Sequence, residues 1–195
     1  MPRAIIYIGG ASQSGKSTLG RLLAETIPIP LYDLDRDPVI KVVRKRRLFG
    51  LRGRLIRLYC MIRLALLRGP VIIDCPYLAP GTVASRFFRL DPALVFFAGY
   101  PQCDPDTKIA QLKAQNFKHA HHLKWMDDDS LRRAITQLLQ LTTRHKEDCE
   151  KFGFTFLDFS DVGNLGALQR EAVDLIKSRY RAATDRKTAE TLEFE

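Results

Sequence analysis

With 195 residues and 46% hydrophobic composition, the chain can bury one sizeable core, and its length fits a single domain better than several. It has no apolar run near the roughly 18 residues of a membrane span, and its N-terminal apolar stretch is too short for a secretory leader, so a soluble and unprocessed protein is expected. The formal net charge of +9 would suit an anionic partner, yet residues 36–68 alone carry eleven basic residues against one acid, Asp37, and the remainder is close to neutral.

In chain order, the apolar run at residues 4–8 reads as a strand. A glycine-rich turn follows, then a helix over residues 16–27 in which Leu19, Leu22, Leu23 and Ile27 recur at helical spacing. Pro28 and Pro30 end that helix, and a short second strand in "PLYDLDRDP" stops at Pro38. Two basic helices come next, "KVVRKRRLFG" and "LRGRLIRLYCMIRLALLRG", broken near Gly50 and Gly53, the second closed by Gly69 and Pro70. Residues 71–76 and 93–101 are continuous apolar runs of the kind buried on both faces of a parallel sheet.

Asp104 offers an N-cap and Pro105 a first helical position for a helix toward Phe117. A polar, irregular stretch leads to a long helix from Ser130, ended by Gly153. Residues 154–160 form a fifth strand, a closing helix carries Leu165, Leu168, Ala172, Leu175 and Ile176, and residues 182–195 are expected to fray as a flexible tail. Strands alternating with helices predict a three-layer α/β domain over residues 1–181, with a five-stranded parallel sheet between helical layers. Cys60, Cys75, Cys103 and Cys149 form no C-x-x-C pair and no zinc-finger spacing, which points to free, buried thiols in a reducing cytoplasm.

The chemistry-bearing pattern is Gly10-x-x-x-x-Gly15-Lys16-Ser17, placed between the first strand and the first helix. Glycines at this spacing let backbone N–H groups converge on a phosphate at a helix N-terminus. Ser12, Gln13, Ser14 and Thr18 complete the loop, Lys16 would reach the β- and γ-phosphates of a nucleotide, and the Ser17 hydroxyl would hold Mg²⁺. Such a domain also needs a carboxylate at the end of a neighbouring strand to order the magnesium shell, and "VIID" ends in Asp74. A GTPase would show Asp-x-x-Gly and Asn-Lys-x-Asp, and an ABC-type ATPase Ser-Gly-Gly; none of these strings occurs.

The length, the phosphate loop directly behind the first strand and the pair Asp33-x-Asp35 after the second strand resemble the small P-loop kinases, among them shikimate, gluconate and nucleoside monophosphate kinases. The strings "FFAGYPQCDPDTKIAQLK", "KWMDDDS" and "CEKFGFTFLDFS" look like a group of bacterial P-loop ATPase or kinase-like proteins. The resemblance implies a P-loop NTPase fold, ATP and Mg²⁺ as cofactors, and a role for Asp33 and Asp35 in holding the acceptor and magnesium, without choosing which is the base. Two departures stand out: the glycine-rich acceptor motif of shikimate kinase is absent, and "DCPY" stands where many nucleotide kinases carry Asp-Gly-Phe-Pro. Neither shikimate nor a nucleoside monophosphate is carried over as substrate.

The basic segment, residues 36–69, falls where this superfamily inserts its acceptor-binding helices, and Arg44, Arg47, Arg54 and Arg57 are the candidates to grip an anionic acceptor bidentately. Interleaved Leu, Ile, Tyr and Met also permit a membrane-surface helix, and a nucleic-acid groove is a further alternative. A lid is expected over residues 104–130, with Lys108, Lys113, Lys118 and Lys124 as its cations and His119, His121 and His122 as exposed lid residues rather than metal ligands. The expected activity is a cytoplasmic, Mg²⁺-dependent transfer of the γ-phosphoryl group of ATP to a small acceptor. The alternatives are a nucleic-acid kinase or RNA-binding ATPase using the basic segment, and a nucleotide-binding regulatory or membrane-surface protein without turnover.

Overall fold

The computed structural model describes residues 4–46, 51–85, 90–117, 120 and 123–192, with side chains through residue 186. Its apolar runs become the strands β1 (Ile5–Gly10), β2 (Leu31–Asp33), β3 (Val71–Asp74), β4 (Val95–Gly99) and β5 (Thr155–Asp158). All pairings are parallel and the order is β2-β3-β1-β4-β5. β1, β3 and β4 are buried along their whole length, as expected of strands covered by crossover helices on both faces.

The helices are α1 (Lys16–Thr26), α2 (Pro38–Lys45), α3 (Arg52–Leu66), α4 (Pro80–Val83), α5 (Pro105–Ala114), α6 (Asp128–Phe152) and α7 (Leu165–Leu192). Alternation along each strand sends side chains to two cores. On one face Leu19 and Leu23 of α1 and Ala172, Val173 and Ile176 of α7 pack on Ile6, Ile8, Ile72, Phe96 and Ala98. On the other, Ile56, Cys60 and Leu64 of α3 and Cys149 of α6 pack on Ile5, Tyr7, Val71, Ile73, Val95 and Phe97. This is the predicted three-layer α/β architecture, and all four cysteines are buried and unpaired.

Local chemistry set several boundaries as expected. Asp104 accepts a hydrogen bond from Thr107 N at 2.8 Å with Pro105 opening α5, and Gly153, at φ 69°, closes α6. Others differ. β2 stops at Asp33, whose carboxylate caps a 3-10 turn, Leu34–Arg36, so Asp35 lies beyond the strand. Gly53 sits inside α3 instead of breaking it. α7 continues to Leu192 where a frayed tail from residue 182 was expected: no glycine or proline follows Gly166, and Ala183 is buried, so nothing stops helix propagation. The span expected to form an exposed lid has a core of its own, in which Leu112, Phe117, Ala120 and Leu123 pack with Tyr100 and with Leu131, Ile135 and Leu139 of α6.

Phe97 ties the layers together. Its ring is fully buried, with centroids 5.7 Å from Tyr7 and from His145 and 6.3 Å from Phe154. Phe97→Ala is therefore expected to cost about 3–5 kcal/mol in urea unfolding; a loss below about 1 kcal/mol would show that the face does not rest on this ring.

Candidate active site

β1 ends at Gly10 and the chain turns over the top of the sheet. Just before that turn β1 lies tight against β4: a Cβ at Gly9 would stand 2.4 Å from the ring of Phe97, its register partner, so no larger residue fits without moving it. Gly15, at φ 81°, makes the left-handed turn into α1 that glycine tolerates. Its carbonyl accepts from Thr18 N at 3.1 Å, Leu19 N at 3.0 Å and the Gln169 amide of α7 at 3.3 Å. The N–H groups ahead of Thr18 precede the first intrahelical bond. α1 has no side-chain cap and no acid in its first turn, whereas α2, α5 and α6 are capped by Asp37, Asp104 and Asp127. The positive end of α1 is thus available to an anion.

Around this end the sheet register gathers charge. Asp74, last residue of β3, lies opposite Ile8 of β1 and opposite Asp33 of β2. Its side chain is buried and neither carboxylate oxygen makes a well-formed hydrogen bond within the protein. Burial raises its pKa above the ordinary carboxylate value, opposed by nearby Lys16 and Ser17, while Asp33 and Asp35 add repulsion. Lys16 is buried as well, and its Nζ folds back to donate to Ala11 O at 3.1 Å. Burial lowers its pKa, against the pull of Asp74, Asp35, Cys75 and Asp33. Ser14, with its hydroxyl unpartnered, is buried in the same loop.

Asp33 accepts from Asp35 N at 2.9 Å and pairs with Arg36 at 3.2 Å. Asp35 pairs with Arg44 Nη2 at 2.7 Å and accepts from the Tyr77 hydroxyl, and the Arg44 guanidinium lies 5.5 Å from the Tyr77 ring centre. Behind them Asp37 caps α2 through Val39 N at 2.8 Å and accepts from the hydroxyls of Tyr32 and of Tyr59, the latter at 3.0 Å. Burial raises the Asp37 carboxyl, but these hydrogen bonds outweigh it and hold the pKa below its ordinary value. Arg63 of α3 donates to the Tyr32 hydroxyl at 2.7 and 3.1 Å. The clasp fixes α2 and α3 against the end of β2.

The site thus brings together Lys16, Ser17, Asp33, Asp35, Asp74 and Arg44. Arg54 and Arg57 are exposed on α3 and make no hydrogen bond or ion pair to the cleft among the described residues; Arg47 lies outside them. Arg63, which sits at helical spacing from Tyr59 on the inner side of α3, takes the inward place instead. Of the expected lid cations, Lys113 pairs with Asp128 at 2.9 Å and Lys124 lies 5.8 Å from the Trp125 ring centre; Lys118, His119, His121 and His122 lie outside the described residues. Lys108 is buried. Its Nζ donates to Gln13 O of the loop at 3.1 Å and to Gln111 at 2.9 Å, 4.2 Å from the Tyr100 ring centre, while the Tyr100 hydroxyl donates to Ser12 O at 2.8 Å. Two side chains of the β4–α5 region therefore tether the loop.

No family model and no curated protein matches the chain. Solved structures do. Shikimate kinase from Bacteroides thetaiotaomicron is 19% identical with a TM-score of 0.56, over 89% of this chain and 98% of that one. Shikimate kinase from Acinetobacter baumannii, solved with shikimate, is 15% identical with a TM-score of 0.53, over 91% and 94%. A gluconokinase from Sinorhizobium meliloti 1021 is 18% identical with a TM-score of 0.51, over 95% and 97%. The chain shares the fold of the small P-loop kinases.

Burial pushes the Lys108 amine down to about 8 from 10.5. The folded state then binds this proton less tightly than the unfolded chain, so unfolding takes up a proton between those values and stability rises with pH across that window. The urea stability of the wild type relative to Lys108→Met should increase between about pH 8 and pH 10. A difference that stays flat over that range would mean the amine titrates as an ordinary surface lysine.

Proposed function

We propose that the protein is a small-molecule kinase that moves the γ-phosphoryl group of ATP, with Mg²⁺, to a hydroxyl or phosphate oxygen of an anionic acceptor. One observation carries this reading: an uncapped helix N-terminus and the buried carboxylate of Asp74 meet beside Lys16 and Ser17, at the strand ends where Asp33 and Asp35 stand. The kinase fold supports it.

Gly10, Ser12, Gln13, Ser14, Gly15 and Thr18 would cradle the nucleotide phosphates with their backbone and hydroxyl donors, and Lys16 would exchange its bond to Ala11 O for phosphate oxygens. The Ser17 hydroxyl and the Asp74 carboxylate are oxygen donors of the kind a hard cation takes, and Mg²⁺ keeps several waters and takes phosphate oxygens beside one or two protein ligands. Ser17 and Asp74 would hold it, and it supplies neutralisation of phosphate charge. Asp33, in register with Asp74, would act on the magnesium side. Asp35, beyond the strand and beside Arg44 and Tyr77, would face the acceptor. It would take the proton of the attacking hydroxyl as the acceptor oxygen bonds to phosphorus and the bond to the ADP oxygen breaks. Arg44, half-exposed next to it, would meet an anionic group of the acceptor. The four buried free thiols fit a reducing cytoplasm.

Acceptor-stimulated ADP formation, screened over pools of phosphorylated and carboxylated metabolites, tests the reading directly. Lys16→Ala should lower the rate by about 10²–10³-fold and Asp35→Asn by about 10²–10⁴-fold; full turnover by Asp35→Asn would remove the base assignment. The metal is tested without turnover. ATP should raise the thermal unfolding midpoint further with Mg²⁺ than with EDTA, and Asp74→Asn should abolish the difference. A Mg²⁺ effect that survives in Asp74→Asn would assign the ion to other ligands.

A further inference from the structure

Opposite the core side of α3 runs an exposed apolar row: Leu51, Leu55, Leu58, Ile62 and Leu66, between 41% and 65% exposed. At about 100° per residue these five side chains fall within an arc of about 80°, roughly half a turn from Ile56, Cys60 and Leu64, which enter the core. Exposed Arg54 flanks one edge of the row and exposed Arg52 the other. α2, packed beside α3, adds exposed Val39 and Val42 together with Lys41 and Lys45. No acid occurs in residues 38–73.

A helix side that faces only water is polar, so this row implies a cover, and charge selects it. A second copy of the chain would set two acid-free cationic segments against each other. A nucleic acid would satisfy the arginines but leave five aliphatic side chains against phosphates. An anionic bilayer surface satisfies both, with acyl chains for the row and headgroups for its edges. No described helix is long and apolar enough to cross a membrane. We propose that α3, with α2 beside it, docks flat on an anionic lipid surface, with Leu51, Leu55, Leu58, Ile62 and Leu66 at the boundary between headgroups and acyl chains. The inner side of α3 holds Asp37 and Tyr32 through Tyr59 and Arg63, so docking of the outer row would leave that clasp intact. The proposal stands apart from the chemistry assigned to the cleft.

Cosedimentation of the full chain tests it, using vesicles of phosphatidylglycerol and phosphatidylcholine in equal parts against phosphatidylcholine alone. The wild type should pellet with the anionic vesicles only. Leu55→Gln/Leu58→Gln/Ile62→Gln should lower its partitioning at least about tenfold, with an unchanged thermal unfolding midpoint to show that it folds. The single change Leu58→Gln serves if the triple variant does not fold, and should still weaken binding measurably. Arg52→Gln/Arg54→Gln should also weaken binding and flatten its salt dependence. The proposal is overturned if the wild type does not pellet with anionic vesicles, or pellets equally well without the aliphatic row. A dimer that the triple variant dissolves, without vesicle binding, would instead assign the row to a second copy. Oligonucleotide binding lost in the triple variant, without vesicle binding, would assign it to nucleic acid.

Discussion

Parallel pairing sets Asp74 between Ile8 and Asp33, and this register is the constraint on which the candidate site depends. In a strand a slip of one residue turns every side chain to the other face. Such a slip in β3 would move Asp74 away from Lys16 and turn Ile73 out of the core it shares with Tyr7 and Phe97. The apolar packing that makes the register worth holding also positions the charged groups. The core on the α3 face and the carboxylates at the sheet edge are consequences of one alignment.

That alignment leaves an electrostatic tension in the protein. Lys16 and Asp74 are both buried, and burial disfavours the charged form of each. The two charges attract each other and Ser17 lies beside the carboxylate, yet the amine rests on a loop carbonyl and neither carboxylate oxygen makes a well-formed hydrogen bond. Asp37, at the start of α2, shows the contrasting solution, a carboxylate satisfied by two tyrosines and the first turn of α2. One acid is fully satisfied by its neighbours and the other is buried with its oxygens short of well-formed bonds.

Much of this was legible in the sequence because it rests on local chemistry. The Asp104–Pro105 opening of α5, the glycine that closes α6 and the apolar runs of β3 and β4 each depend on neighbours a few residues away. The glycine-rich turn between β1 and α1 is local too, which is why the sequence places Lys16 and Ser17 at the start of α1 and Asp74 at the end of β3. What could not be read depends on distant pairs. Lys108 meets Gln13 across 95 residues and Arg63 meets Tyr32 across 31, and no spacing rule links them. A lysine after the fourth strand reads as a lid cation until the fold shows it buried against the Tyr100 ring. Likewise the basic stretch reads as one cationic block, although the turn of α3 sends Arg63 inward and Arg54 and Arg57 outward.

Gly9 and Phe97 are register partners on β1 and β4, and the ring occupies the space where a side chain at position 9 would begin. The end of β1, from which the glycine-rich turn departs, is therefore seated against an aromatic on the adjacent strand. A larger residue at position 9 calls for a smaller one at position 97, so the two positions can change size only together.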